Sequence, residues 1–497
     1  MAHQQIDRYN LARYNQHMNK ITIPLFRHRR YGILSGLLSG LLPATLLGGC
    51  VSSAGLAPHT HPIPLVSPTT AQINPQWWLT FHDAQLNQLM RTALQNAPDV
   101  ARAQARIRVA EQEGNLARAQ LNPSLALDGS ATRQKFSAEG YFPPPIGGST
   151  FNLGQVMADF SWDMDWWGKH RAVAQAALGS INAAQAEADD TRLALSIALA
   201  RAYFALEADT EQHKRLAAMQ ATRNQLTGLL KERFASGLAS EQRLPPSLSE
   251  QDKLDHENLV LENSMQQERL TIAALSGQPP HYGDSIHPHN IGALPTLPND
   301  LPADLIGLRP DVQARRAEIE VATAQSRLAK IQFYPDVNLS GFIGLQSIGF
   351  ANILHSDSEM TSIGPAVHLP IFNRNTIRAT LGASYAQYDM AVEDYNQTIF
   401  HAMQETASAL ANLHTLAREE KTQRHLIHHL RYAQQLAEQR WQAGLDNNIP
   451  ALQDGLAQQV ARQTQTRIKL STMNATLDVI HALGGFPAGI PTSPDNH

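Results

Sequence analysis

The sequence predicts an exported α+β membrane protein whose mature part contains two copies of one structural plan. Three features predict this fold class: an export signal that ends at a single cysteine, a series of motifs that recurs along the chain, and short strand patterns beside very long helical ones. The chain has 497 residues, of which 43% are hydrophobic and 17% charged, so it can bury a large core.

The N-terminus has the pattern of an export signal. Basic residues at 27–30 precede an apolar run at 31–47, and Leu-Gly-Gly-Cys follows at 47–50. Basic residues hold the start of a signal in the cytoplasm, and small residues before a cysteine give a peptidase access to the backbone. We expect residues 1–49 to be a signal peptide, read from Met1 or Met18, and Cys50 to carry N-acyl and S-diacylglycerol lipid. The alternative is an uncleaved membrane helix and a chance cysteine.

Charge and cysteine content exclude several classes of function. The 40 basic and 44 acidic side chains leave a formal charge of -4 and form no long run of one sign, so we expect no nucleic-acid partner. Cys50 is the only cysteine, which excludes an intramolecular disulfide and a multi-cysteine metal site. Val51 is not the aspartate that commonly retains such lipoproteins in the inner membrane, which favours the outer membrane.

An internal repeat divides the mature chain. Pro98-Asp99-Val100 recurs as Pro310-Asp311-Val312, an offset of 310 - 98 = 212, and the segment at 233–238 recurs at 440–445, an offset of 440 - 233 = 207. We therefore predict a lipid-anchored segment at 50–97 packing on the equatorial region, a first repeat at 98–292, a second repeat at 293–485 and a flexible tail at 486–497.

Each repeat has a pair of alternating segments followed by long helical patterns. Apolar and polar residues alternate at 123–133 and 151–165 in the first repeat, and at 335–346 and 361–372 in the second, which predicts strands with one apolar face. The segments between paired strands are rich in Pro, Gly, Ser and charge, as exposed loops are. An ordinary soluble sheet with one wet face gives the same alternation.

The helical patterns are too long for a compact domain. Helices are predicted at 168–236, 245–276, 374–443 and 447–484, and the two longest would each measure about 100 Å. Apolar residues on these helices form two stripes, which predicts two neighbours per helix, as in the wall of a helical barrel. The alternative, a filamentous dimeric coiled coil, needs one stripe and no strands.

Several motifs in this order resemble the TolC-like outer membrane factors, in particular the lipoprotein branch found in multidrug efflux systems. The resemblance covers residues 50–497 and is carried by Gln76-Trp77-Trp78, Phe81-His82-Asp83-Ala84-Gln85-Leu86, Arg309-Pro310-Asp311-Val312, Phe333-Tyr334-Pro335 and Leu369-Pro370-Ile371-Phe372. It implies a homotrimer in which each protomer gives four strands to a twelve-stranded transmembrane β-barrel and its long helices to a periplasmic α-helical barrel. It also implies passive conduction of substrates that an inner-membrane pump delivers through a periplasmic adaptor protein.

The resemblance also implies roles for individual residues. The two turns that follow the long helices would be the periplasmic tips that contact the adaptor, at Arg233, Gly237, Leu238, Arg440, Gly444 and Leu445. Asp454 matches the aspartate of the closed periplasmic aperture, where three copies would form a carboxylate ring. Ala457 departs from the arginine of many relatives. The alternatives are that the tip residues only cap helices and that Asp454 is a solvated surface acid.

The sequence favours a transport role over an enzymatic one. It contains no G-x-S-x-G, no H-E-x-x-H, no Gly-rich phosphate loop with lysine and no cysteine nucleophile, and its histidines lack partners for a metal site. We therefore expect no catalytic residue, no metal and no cofactor apart from lipid. Two other functions stay open: the exit duct of a type I protein-secretion system, and a structural periplasmic lipoprotein that conducts nothing.

Overall fold

The computed structural model describes residues 53–65, 73–288 and 303–487. The predicted signal peptide, Cys50 and the tail beyond 487 lie outside the described residues. The helices and strands occur in the order β1 (Ile73–Asn74), α1 (Ala84–Asn96), α2 (Pro98–Ala119), β2 (Ser124–Lys135), β3 (Thr150–Asp163), α3 (Lys169–Ala235), α4 (Leu244–Leu275), α5 (Pro310–Ile331), β4 (Asp336–Ile348), β5 (Glu359–His368), α6 (Arg374–Gln442), α7 (Ile449–Ala482) and β6 (Phe486–Pro487).

The two halves of the chain have the same element order. Each has a 22-residue helix, two antiparallel strands, one very long helix and a shorter helix, and α2 and α5 both have proline in their first turn. Proline fits this position because the first helical N–H groups have no intrahelical acceptor and the proline φ is already helical. The long helices α3 and α6 contain 67 and 69 residues, or about 100 Å each.

One four-stranded antiparallel sheet joins the two halves. Its strand order is β2-β3-β4-β5, and the central β3–β4 pair aligns Ala158 of the first half with Ile343 of the second. Strands β2 and β5 therefore form the two edges. Every residue of β2 is exposed to solvent in the single chain, as are nearly all those of β5, so both edges of this sheet lack cover within one chain.

Strand β5, the last strand of this sheet, is shorter at its C-terminal end than the sequence predicted. The prediction placed residues up to 372 in a strand, but β5 ends at His368. Pro370 has no backbone N–H to donate to a neighbouring strand, which explains why pairing stops there. Ile371 and Phe372, whose apolar character suggested a strand face, lie beyond the sheet and are 61% and 96% exposed.

The helices form single layers below the sheet. In the layer near the sheet, the helices lie side by side in the order α2, α3, α5, α6. In the layer further from the sheet, the order is α4, α3, α7, α6. Helix α4 begins at Leu244, one residue before the predicted boundary. None of the helices within 53–65, 73–288 and 303–487 combines the length and apolar composition of a membrane-crossing helix.

The main hydrophobic core lies where the N-terminal segment packs on the middle of α3. Trp77, Leu86 and Met90 from this segment are at most 1% exposed and pack with Leu199 and Leu206 of α3. Strand β1 pairs with β6, and Phe486 is 2% exposed. Residue 486 therefore belongs to the core and not to a flexible tail, a correction that depends on its pairing with a strand 412 residues earlier (486 - 74 = 412).

Candidate functional site at the tips of the long helices

The two long helices end in the same backbone turn. Gly237 and Gly444 have φ values of +69° and +71°. The N–H of Leu238 donates to the carbonyl of Arg233 at 2.8 Å, and the N–H of Leu445 donates to that of Arg440 at 2.9 Å. These bonds satisfy carbonyls that a helix end leaves unpaired, and glycine adopts the left-handed conformation that they require.

The side chains of each tip divide into two groups. The arginines face the turn: Arg233 donates to the carbonyl of Leu238 at 3.4 Å, and Arg440 lies 3.8 Å from Asp446. The leucines point away from it, since Leu238 is 66% and Leu445 is 70% exposed. The arginines thus stabilise the turns, while the two leucines leave apolar surface in solvent.

Asp454 lies near the start of α7, the helix that follows the second tip. It is half-buried, and within the described part of one chain no hydrogen bond or ion pair involves its carboxylate. Leu456, two residues later, is buried in a cluster with α3 and α4, so Asp454 lies about 200° around the helix from that contact. Gly455, between Asp454 and Leu456, packs close to α6. A Cβ added to this glycine would lie 3.3 Å from the Nε2 of Gln434 in α6. Ala457 is exposed.

An apolar cluster fixes the start of α7 against the first repeat. Its buried members come from α3, α4 and α7: Leu216, Met219, Leu226, Leu230, Leu254 and Leu456. A buried hydrogen bond of 2.8 Å between the hydroxyls of Thr227 and Ser247 joins α3 to α4 in the same region. The first tip and the start of α7 are therefore parts of one packed unit.

The opposite end of the first long helix, α3, is attached to the sheet by a charged clamp. Lys169, the first residue of α3, places its Nζ 3.1 Å from a carboxylate oxygen of Asp163 in β3 and 3.1 Å from one of Asp336 in β4. The ring of Trp167 stacks on Tyr334 with centroids 4.7 Å apart. This clamp connects strands of both repeats to one helix.

Arg309 connects three helices at the start of the second repeat. Its guanidinium donates to both carboxylate oxygens of Asp311 at 3.0 and 2.8 Å, to Glu405 of α6 at 2.8 Å and to the carbonyl of Ala482 in α7 at 3.0 Å. The side chain is only 5% exposed. Burial by itself would raise the pKa of Asp311, but the bidentate contact with Arg309 outweighs it and lowers that pKa below the usual 3.8.

No sequence pattern points to a role for Lys169, and Arg309 stands out in the sequence only as part of a motif. The signal for Arg309 was present, because an arginine before a helix that opens Pro-Asp can pair with that aspartate. The partners Asp336 and Glu405 follow at separations of 167 and 96 residues, which periodicity within one element does not reveal.

The predicted lipidation site, Cys50, is outside the described residues. Within them, no group of three or more His, Cys, Asp or Glu side chains is arranged to hold a metal ion.

A family comparison matches both repeats. The family described as outer membrane efflux protein matches residues 89–278 and 301–485. Among curated relatives, the multidrug resistance outer membrane protein MdtQ of Escherichia coli O6:H1 is 27% identical over 429 residues, which cover 82% of this chain and 87% of MdtQ. MdtP of the same strain is 26% identical over 425 residues, covering 82% of this chain and 86% of MdtP.

Solved structures share the fold. The outer membrane protein VceC of Vibrio cholerae superposes with a TM-score of 0.76 at 31% identity, covering 84% of this chain and all of VceC. The CmeC outer membrane channel of Campylobacter jejuni superposes with a TM-score of 0.77, covering 88% of this chain and 96% of CmeC. Its sequence identity is 20%, so this similarity shows the fold alone.

Proposed function

Because the chain belongs to the outer membrane efflux protein family and is an outer-membrane efflux channel, as the sequence predicted, we propose that it works as a lipid-anchored homotrimer. In this proposal the channel passively conducts drugs or other small toxic compounds to the exterior. A periplasmic adaptor protein and an inner-membrane pump supply the substrate and the energy.

The proposed trimer is supported by the two open edges of the sheet, one on each side of the chain. Strands β2 and β5 have 12 and 10 residues and pair on one side only. Unpaired backbone N–H and C=O groups are not tolerated in the hydrocarbon of a membrane, so these edges need partner strands. Pairing β2 of one copy with β5 of the next would close the sheet into a ring of three copies and 3 × 4 = 12 strands.

The helix layers have open sides at the same two ends. Helix α2 ends one layer, with Val109 58% and Leu116 65% exposed, and α4 ends the other, with Leu259 65% exposed. Helix α6 forms the opposite side of both layers and exposes Phe400 and Tyr432 to 63% and 59%. Contact of α6 with α2 and α4 of the next copy would cover these apolar side chains and follow the same direction around the ring as the strands.

The tips and Asp454 have separate roles in this proposal. The exposed Leu238 and Leu445 would dock the adaptor, while Arg233, Gly237, Arg440 and Gly444 hold the two turns in shape. Asp454, which has no partner within the described part of one chain, would meet its two symmetry copies across the channel and form the carboxylate ring of the periplasmic gate. Acylated Cys50 would anchor each copy in the outer membrane.

The native mass of the protein extracted from outer membranes in mild detergent tests this assembly. We expect a trimer whose chains begin at acylated Cys50. A monomer would remove the shared barrel, since four strands cannot close by themselves. A trimer that kept residues 1–49 would leave the channel standing and remove the lipid anchor, so the two parts of the proposal can fail separately.

Dye accumulation in cells tests conduction. Deleting the gene should raise intracellular dye, and restoring the wild-type gene should lower it again. A deletion that alters envelope shape without changing dye accumulation, in a strain lacking other outer-membrane efflux channels, would favour the structural lipoprotein. Loss of a secreted protein instead of dye export would favour the secretion duct.

A further inference from the structure

The N-terminal segment at residues 77–96 docks on the middle of α3. Trp77, Trp78 and Phe81 are 1%, 4% and 5% exposed, and the Nε1 of Trp77 donates to the hydroxyl of Ser196 at 3.0 Å. The ring of Phe81 lies 5.1 Å from that of Phe204 between centroids. This docking joins the part of the chain that follows Cys50 to a helix that runs from the sheet to the tip.

Asp83 is the polar centre of the docked segment. Its Oδ1 accepts from the N–H of Leu86 at 2.9 Å and so caps α1, and its Oδ2 accepts from the hydroxyl of Tyr203 at 2.7 Å. The segment therefore brings a carboxylate against α3.

Glu207 lies one helical turn after Tyr203 and is also part of this interface. It is 4% exposed, and neither carboxylate oxygen has a hydrogen-bond partner within the described part of the chain. Burial and the nearby Asp83 raise the pKa of Glu207 to about 7. The mechanism of a channel makes no use of this group, and a buried unpaired carboxylate is costly unless it binds a proton.

Other charged groups lie near Glu207 in the fold. Glu207 is one of the residues that line a cavity of about 250 Å³. Its remaining lining residues come from α3, from α7 and from the end of the first repeat: Thr210, Glu211, Lys214, Arg215, Pro288, Thr466 and Lys469. Glu211 pairs with Arg215 at 2.7 Å. On the α4 side, Ser264 donates to Asp209, which lies about 200° around α3 from Glu207.

We propose that a proton on Glu207 holds segment 77–96 against α3, and that loss of this proton loosens the segment. With the proton bound, Glu207 adds no charge to the contact that the carboxylate of Asp83 makes with α3. Without it, a charged Glu207 is buried near Asp83, and both its burial and the carboxylate of Asp83 disfavour that charge. Separation of the segment takes Asp83 away and exposes Glu207 to solvent. It therefore removes both the repulsion by Asp83 and the cost of burying a charged Glu207.

The sign of the pH effect follows from the raised pKa of Glu207. The docked state holds the proton up to about pH 7, whereas an exposed glutamate loses it near its usual 4.5. Docking is therefore strongest below pH 4.5, weakens as the pH rises towards 7, and stays at its weaker level above that. The equilibrium for undocking should rise on the order of 100-fold between pH 5 and pH 8.

Hydrogen exchange of the full-length protein in mild detergent measures this equilibrium. The measured quantity is the ratio of two protection factors, that of the backbone amides of residues 84–96 over that of residues 310–331 in the same sample. Taking this ratio cancels the intrinsic pH dependence of amide exchange. We expect this ratio to fall with a midpoint between pH 5 and pH 7 in the wild type. In Glu207→Gln, which carries no charge at any pH, the ratio should stay high throughout.

Two further variants keep the test decisive. Glu211→Gln removes a carboxylate one turn away and should leave the wild-type profile unchanged. Asp83→Asn keeps an N-cap side chain but removes the repelling charge, so its midpoint should move to lower pH. A ratio that is flat with pH in the wild type, or a Glu207→Gln profile equal to the wild-type profile, overturns the proposal. If Glu207→Gln does not fold, an unshifted midpoint in Asp83→Asn has the same meaning.

Discussion

The Nζ of Lys169, the first residue of the first long helix, lies 3.1 Å from the carboxylate of Asp336, the first residue of a strand in the second repeat. The same Nζ lies 3.1 Å from Asp163 in the neighbouring strand. One side chain thus ties both repeats to the place where the sheet meets the helices.

Replacing Lys169 with methionine should lower stability. Methionine retains the length of the side chain but leaves the carboxylates of Asp163 and Asp336 without their shared cation. The side chain of Lys169 is 41% exposed, so solvent screens its ion pairs. We expect the free energy of unfolding to fall by about 1 kcal/mol. The midpoint of thermal denaturation in detergent measures it. Lys253→Met, at an ion pair with side chains 69% and 46% exposed, is the matched control and should change little.

Replacing Arg309 should cost more, because its guanidinium is buried. In Arg309→Gln the carbonyl of Ala482 and the carboxylates of Asp311 and Glu405 lose their common donor. We expect a loss of about 2 to 3 kcal/mol, below the value for fully buried pairs because Asp311 and Glu405 are 34% and 45% exposed. Arg315→Gln, at a half-exposed pair with Glu318, serves as the comparison. Equal shifts of the denaturation midpoint in both variants would contradict this interpretation.

The Arg309–Asp311 contact also predicts acid sensitivity. The pKa of Asp311 is lowered below its usual 3.8 in the folded protein. A lowered carboxyl pKa contributes stability that is present above 3.8 and is lost as the pH falls through the folded value. Denaturation midpoints between pH 5 and pH 2 should therefore fall less steeply in Asp311→Asn than in the wild type. Parallel profiles would assign the acid sensitivity to other carboxyls.

The gate proposal makes a prediction about conductance. Asp454→Ala should raise single-channel conductance in planar bilayers and antibiotic leak in cells, because the proposed carboxylate ring would be lost. Gln453→Ala changes the exposed preceding residue and should leave conductance unchanged. Wild-type conductance in Asp454→Ala would retire Asp454 as a gate residue and leave it a surface acid.

The tips make a prediction about the adaptor. Leu445→Asp should reduce efflux and co-purification of the adaptor at an unchanged amount of trimer, since it places a charge on the exposed apolar surface of the tip. Leu354→Asp is the control, because Leu354 is 84% exposed in the loop between β4 and β5 at the sheet end. A loss of efflux in both variants, or in neither, would count against docking at the tip.

The sequence predicted the family, the outer-membrane efflux channel and the helix-ending turns, and the reasons are local. Gly237 and Gly444 end helices because the turn needs a left-handed residue, and that requirement can be read from five or six neighbouring residues. Pro98 and Pro310, which the repeat aligns with each other, lie in the first turns of α2 and α5 for a similarly local reason. Where a single proline competed with an alternating pattern, as at Pro370, the prediction of the strand end was wrong.

By itself, the sequence determined the strands and long helices of the two repeats and their order, because helix and strand periodicity, proline and glycine act over a few residues. It missed the short strand β6, whose partner β1 lies at the other end of the described chain. Only the tertiary structure decided which charged groups meet. Glu207 and Asp83 are 124 residues apart (207 - 83 = 124) and Lys169 and Asp336 are 167 apart, and each pair is brought together by the packing of separate helices and strands. The proton on Glu207 and the clamp at Lys169 arise from burial and proximity, which are properties of the fold and not of any short stretch of sequence.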